Sequence, residues 1–210
     1  MNDDAAVAPV RHKLDVVAYH RMAEAGILRE GERIELIDGD LIDMAPISQA
    51  HAGVVSALAE ALLVGCAGRA TVWPQNPIRL DRLSEPQPDL AVLRRRPDFY
   101  SGERPGPTDV LLVVELADSS LRFDRTVKLR LYARAGIVEL WIIDLNRRII
   151  TAYRKPTEDV YTETTRHKLG DRLALSSTPE IEMQLCLRLD DAENTSSAMA
   201  SQFIVQTLNS

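Results

Sequence analysis

The run VLLVVEL at 110–116 is apolar at every position except Glu115. A strand of that kind is covered on both faces, which places it in the interior of a sheet with other elements packed above and below. A charge in such a strand needs a partner or a metal, because burying it alone costs more than the stability of a folded domain. One stretch therefore demands both a layered fold and a reason for Glu115.

A second strand of the same character, ELWIIDL, follows at 139–145. Between the two, RTVKLRLYARAG places Val127, Leu131 and Ala135 at i, i+4 and i+8 and ends on Gly136, the pattern of an amphipathic helix and its C-terminal stop. Upstream, LDVVAYHRMAEAGIL at 14–28 reads as another amphipathic helix. RIELIDGDLIDMAP reads as a hairpin with strands at 33–37 and 40–44 about Asp38-Gly39. Ser48 is the expected N-cap of QAHAGVVSALAEALLVG, a helix ending near Gly65. ATVWPQNPIRL reads as an edge or bent strand, PDLAVL as a short strand opened by Pro88, and RRRPDFYSGERPGPTD as a surface loop. RRIITAYR and EDVYTETTR alternate as half-exposed strands, with short turns around Asn146 and Pro156-Thr157. Trp73 and Trp141 sit in apolar strands and read as core residues. The order implies an α/β or α+β domain, a mixed sheet flanked by helices, over residues 12–190. Residues 191–210 lose periodicity and read as a flexible tail, either without further structure or with a short helix at its end.

Composition narrows the function classes. The net charge of −6 gives no general attraction to nucleic acid, so such binding must rest on local basic patches. Cys66 and Cys186 lie in separate apolar contexts without a CxxC or Cys/His cluster, which argues against a zinc ribbon or a redox dithiol. Free thiols of this kind fit a reducing cytoplasm. No apolar run approaches the ~20 residues that span a bilayer, and MNDDAAVAPVRHK lacks the apolar core of a signal peptide. The expectation is a cytoplasmic protein with no membrane span. There is no GxSxG elbow, Walker loop or HExxH motif, and no helix-turn-helix or zinc finger.

The residues best suited to chemistry are Asp89, Glu115 and Lys128. Two carboxylates at the ends of apolar strands can converge on one hard cation, Mg²⁺ or Mn²⁺, which takes one or two carboxylates plus water and phosphate oxygens. Such an ion polarises a phosphodiester and acidifies a bound water. A lysine beside it can orient or deprotonate that water, or hold the phosphate as a point charge. The plain alternatives are a turn-capping Asp89, a solvent-facing Glu115 and a solvated Lys128. Asp124 stands i, i+4 from Lys128, so a surface ion pair competes with a role in orienting the lysine. His51, near a helix start, is either a phosphate or water contact or an ordinary surface histidine. Arg94, Arg95 and Arg96 follow the Asp89 strand, while Arg122, Arg125, Arg130 and Arg134 surround Lys128. These arginines are either phosphate contacts or a solvated basic surface.

PDLAVL, VVELADSSLRFDRTVKLRLYARAGIVELWIIDL and the earlier RIELIDGDLIDMAPISQAHAGVVSALAEALL together resemble the Uma2 family of the PD-(D/E)xK nuclease superfamily. The similarity runs from about residue 12 to 165 through several ordered motifs. It implies a restriction-endonuclease-like core and a Mg²⁺-dependent endodeoxyribonuclease with the metal on Asp89 and Glu115. The family pattern also implies that Glu35 approaches the metal, against the plain alternative of a strand glutamate facing solvent. One departure stands out: an ExK motif would place its lysine where this chain has Ala117. Lys128, from the following helix, matches the position the family uses instead. A homodimer is expected, since cutting both strands favours two sites about a twofold axis. The competing expectation is a nuclease-fold binding or assembly protein without turnover.

Overall fold

The computed structural model describes residues 11–117, 120–188 and 202–206, with side chains to residue 182. Local signals set the first elements. α1 (Val16–Glu24) starts at Asp15, whose carboxylate accepts from Ala18 N at 2.8 Å. β1 (Ile34–Ile37) and β2 (Asp40–Asp43) form the expected hairpin. Asp38 and Gly39 both take positive φ, 50° and 78°, as a two-residue turn matching strand twist requires. Gly39 is constrained twice, because a Cβ there would lie 2.7 Å from Lys13 Cβ. α2 (Gln49–Cys66) is capped by Ser48, whose Oγ accepts from His51 N. It passes the expected stop at Gly65 and ends at Ala67, in the left-handed region at φ 45°.

The main sheet holds β3 (Ala70–Pro74), β4 (Leu90–Arg94), β5 (Val110–Ala117), β6 (Glu139–Asp144), β7 (Ile149–Thr157) and β8 (Val160–Lys168), side by side in that order. Every neighbouring pair is antiparallel except β5–β6, which is parallel. A parallel pair needs a crossover. Here it is helical: α3 (Leu121–Phe123), a π-helical turn over Asp124–Lys128, and α4 (Leu129–Arg134). The helix thus begins before the RTVK pattern suggested, and Gly136 follows its end at φ 77°. Pro156-Thr157 is not a turn: Thr157 pairs with Val160, and the bend falls on Glu158-Asp159. The ladder hydrogen bonds carry β7 past Pro156 to Thr157.

β9 (Arg172–Leu175), β10 (Thr178–Arg188) and β11 (Gln202–Gln206) make a separate antiparallel sheet in the order β11-β10-β9. Of the segment read as a tail, Gln202–Gln206 is therefore a strand paired to β10, and the remainder lies outside the described residues. Five residues are too few to carry a readable period; their order comes from the neighbouring strand's backbone.

Two cores lie on opposite faces of the main sheet. Leu112, Val114 and Leu116 of β5 pack with Val54, Val55, Leu58 and Leu62 of α2. Val113 and Ala117 pack on the other side with Leu131 and Tyr132 of α4. By strand alternation, Glu115 shares the α4 face. Among the described helices, α2 is long and apolar enough to cross a membrane by length and composition. Ala, Gly and Ser dilute its apolar run in the sequence; Val54, Val55, Leu58 and Leu62 are committed to the core, while Leu63 and Val64 are exposed. Cys66 is a buried free thiol whose pKa burial raises, and the Cys186 side chain lies outside the described residues. Trp141 is fully buried, whereas Trp73, on edge strand β3, is half-buried with its ring edge-on to Tyr100.

Candidate active site

The β4–β5 register pairs Leu90 with Val114. One step outward, Asp89 and Glu115 stand opposite each other on the α4 face. Asp89 Oδ2 accepts from Leu116 N at 2.8 Å, and Oδ1 lies 2.8 Å from His51 Nε2. A strand backbone and the first turn of α2 therefore both hold Asp89 in one orientation.

Lys128 reaches the same place from the crossover helix. Its Nζ donates to Glu115 Oε1 and to Glu35 Oε1, each at 3.1 Å. Tyr132 OH donates to Glu115 Oε1 at 2.7 Å, so all of Glu115's bonds to Lys128 and Tyr132 fall on one oxygen. Asp124 accepts from Ser120 Oγ at 2.6 Å. Glu35, Glu115, Asp124 and Lys128 are each 3% exposed or less. The π-helical turn gives both Asp124 and Lys128 buried positions, a deformation frequent at functional sites.

Glu35, Asp89, Glu115, Asp124, Lys128 and His51 line a cavity of about 250 Å³ together with Arg33 and residues 44–48. Four acidic side chains, Glu35, Asp89, Glu115 and Asp124, line it against two basic ones of fixed charge, Arg33 and Lys128. Glu35 Oε2 is buried without a hydrogen-bond partner. Among the described residues no group of three or more acidic, His or Cys side chains is arranged as a metal cage. The donor set still fits Mg²⁺ or Mn²⁺, which use one or two carboxylates and keep several waters.

A family model described as "Putative restriction endonuclease" matches residues 16–189. The chain belongs to the Uma2 family. A crystal structure described as a "putative nuclease belonging to DUF820", from Anabaena variabilis ATCC 29413, aligns with this Uma2 chain at a TM-score of 0.55. It covers 73% of this chain and 88% of the other at 16% identity, and at that identity the likeness establishes a shared fold. Among proteins of curated function, none matches the sequence.

Burial pushes the Glu115 carboxyl up to about 8; Lys128 opposes this, and Asp89, Asp124 and Glu35 add to it. Burial alone would depress the Lys128 ammonium, but Glu115, Glu35 and Asp124 more than offset it and raise its pKa. Burial also raises Asp124, against its Ser120 bond and Lys128. The folded Uma2 chain thus holds a proton on Glu115 that the unfolded chain releases near 4.5, so folding binds protons between the two values. Without metal, stability is expected to fall as pH rises from 4.5 to 8. Glu115→Gln, which mimics the protonated form, should flatten that slope in urea unfolding. An unchanged slope would refute the assignment.

The expected Asp89, Glu115, Lys128, Glu35, His51 and Asp124 all line this one cavity. The competing alternative, a surface pair between Asp124 and Lys128, does not form: Lys128 bridges the two glutamates, and Asp124 turns to Ser120. Arg94, Arg95 and Arg96 do not join the site. They lie at or beyond the far end of β4, roughly 16 Å from Asp89 at about 3.3 Å per residue. There Arg95 stacks on Phe99, and Arg96 stacks on Tyr100 and pairs with Asp98. Proximity in sequence misled because an extended strand carries its ends apart. Arg125 leans toward Asp144 at 4.0 Å, Arg122 is exposed, and Arg130 and Arg134 pair with Asp159 and Asp38. Tyr132 was not foreseen, although its i+4 spacing from Lys128 was a usable signal. Arg33 had a usable signal in its i, i+2 spacing from Glu35 on the expected strand, whereas Gln87 and Ser120 carried none.

Proposed function

We propose that this chain is a divalent-metal-dependent endonuclease that hydrolyses phosphodiester bonds in DNA. The observation that carries the reading is the facing pair Asp89 and Glu115 on the cavity wall, with the Lys128 ammonium against Glu115. Asp89 and Glu115 would hold Mg²⁺ or Mn²⁺. The chemistry such an ion supplies when bound is polarisation of the phosphodiester and a lowered pKa for its water. Leu116 N–H and His51 orient Asp89, while Tyr132 and Lys128 orient Glu115. Lys128, with its pKa raised, stays an ammonium at neutral pH. As an ammonium it positions Glu115 and supplies positive charge beside the phosphate.

A second reading, a nuclease-fold binding or assembly protein, is favoured by one observation: Lys128 is engaged by both Glu35 and Glu115. The two readings separate in one assay. The nuclease reading expects supercoiled plasmid to be nicked with Mg²⁺ or Mn²⁺ and to survive in excess EDTA. No nicking with either metal, together with no heat of Mn²⁺ binding, would sink it. Cutting of both strands would further call for a twofold pair of chains, read by sedimentation.

A further inference from the structure

We infer that Arg33 is the residue that grips the nucleic-acid backbone, its guanidinium binding a phosphate oxygen of substrate entering the catalytic cavity. The inference rests on the nucleic-acid substrate of the reading above, but not on turnover. Three basic side chains line the cavity: Arg33, His51 and Lys128. Lys128 is held between Glu35 and Glu115, and His51 lies against Asp89. Arg33 is different. Its Nη1 donates to a neutral acceptor, Ala45 O, at 2.7 Å, and among the described residues it forms no ion pair. That bond engages one of the guanidinium's five N–H donors.

The fold aims Arg33 at the site. Arg33 O accepts from Met44 N, so this residue extends the hairpin ladder by one pair. It stands two residues before Glu35, and strand alternation gives both side chains the same face. Of the other candidate arginines, Arg96, Arg130 and Arg134 are neutralised by Asp98, Asp159 and Asp38, and Arg94, Arg95 and Arg122 do not line the cavity. The carboxylates of the cavity repel a phosphodiester, so a cation at its wall decides whether the backbone is held there. A guanidinium suits this because its planar fork matches phosphate oxygens.

The test is fluorescence anisotropy of a short labelled DNA duplex in Ca²⁺, from about 50 to about 200 mM salt. Arg33→Gln is expected to bind roughly tenfold more weakly at low salt and to lose about one from the slope of log K against log[salt]. Glutamine is two bonds shorter and gives up the bond to Ala45 O, so a small fall in melting temperature is expected and is read separately from the slope. Arg33→Lys should recover the slope and only part of the affinity, since it restores charge without the fork. Wild-type affinity and slope in Arg33→Gln overturn the inference. So does weaker binding with an unchanged slope and a lowered melting temperature, which marks Arg33 as a loop anchor. A wild-type chain that fails to bind the duplex overturns it too. If the wild type binds and Arg33→Gln loses slope while plasmid stays intact, the inference stands and the nuclease reading falls.

Discussion

Asp89→Asn is expected to lower metal-dependent DNA nicking by about a thousandfold or more while leaving the fold intact. The substitution keeps shape and an acceptor for Leu116 N–H, so the bond that ties β4 to β5 survives. It removes the negative charge that a hard cation requires from its ligands. Loss of the several kcal/mol of charge stabilisation that a bound metal supplies corresponds to roughly three decades in rate. Single-turnover nicking with Mg²⁺ and with Mn²⁺ gives the rate, and a calorimetric Mn²⁺ titration gives the binding. Nicking and Mn²⁺ affinity both at wild-type level in Asp89→Asn would remove this residue from the site.

Lys128→Met should destabilise the metal-free protein by about 3–5 kcal/mol, the usual effect of stranding a buried charge. Methionine fills much of the space of the lysine stem, so packing is largely kept. What disappears is the only ammonium against Glu35 and Glu115 among the described residues. In thermal unfolding this corresponds to a fall on the order of 10 °C. The loss should grow as pH rises, because each carboxylate that ionises then does so without its counter-charge. Adding Glu35→Gln to Lys128→Met should recover part of the loss, since it removes one of the two stranded acids. A lone Lys128→Met variant within about 0.5 kcal/mol of wild type would show that the lysine is held by packing and not by its charge.

Much of this architecture is legible in single stretches. Asp38-Gly39 specifies its turn because only a residue tolerant of positive φ fits each position. Ser48 caps α2 because its hydroxyl accepts from a helix N–H that has no other partner. The VLLVVEL run predicts a strand buried on both faces, and β5 has all 8 of its residues buried. Each of these depends on forces acting within a few residues.

The site obeys longer-range rules. Glu35 and Lys128 are 93 residues apart, and no local pattern pairs them. Asp89 faces Glu115 only because Leu90 takes Val114 as its partner, and a one-residue slip would turn Asp89 to the other face of the sheet. The arginines at 94–96 adjoin Asp89 in sequence, yet the direction of β4 carries them away, while Arg33 arrives from a hairpin that sequence reading treated as support. Sequence by itself determined most helices and strands of the main sheet and singled out the candidate acids and lysine, because propensity, capping and periodicity are local. Tertiary structure alone decided which charges meet and which arginine turns inward, because strand register and helix packing set distances between residues that the chain keeps far apart.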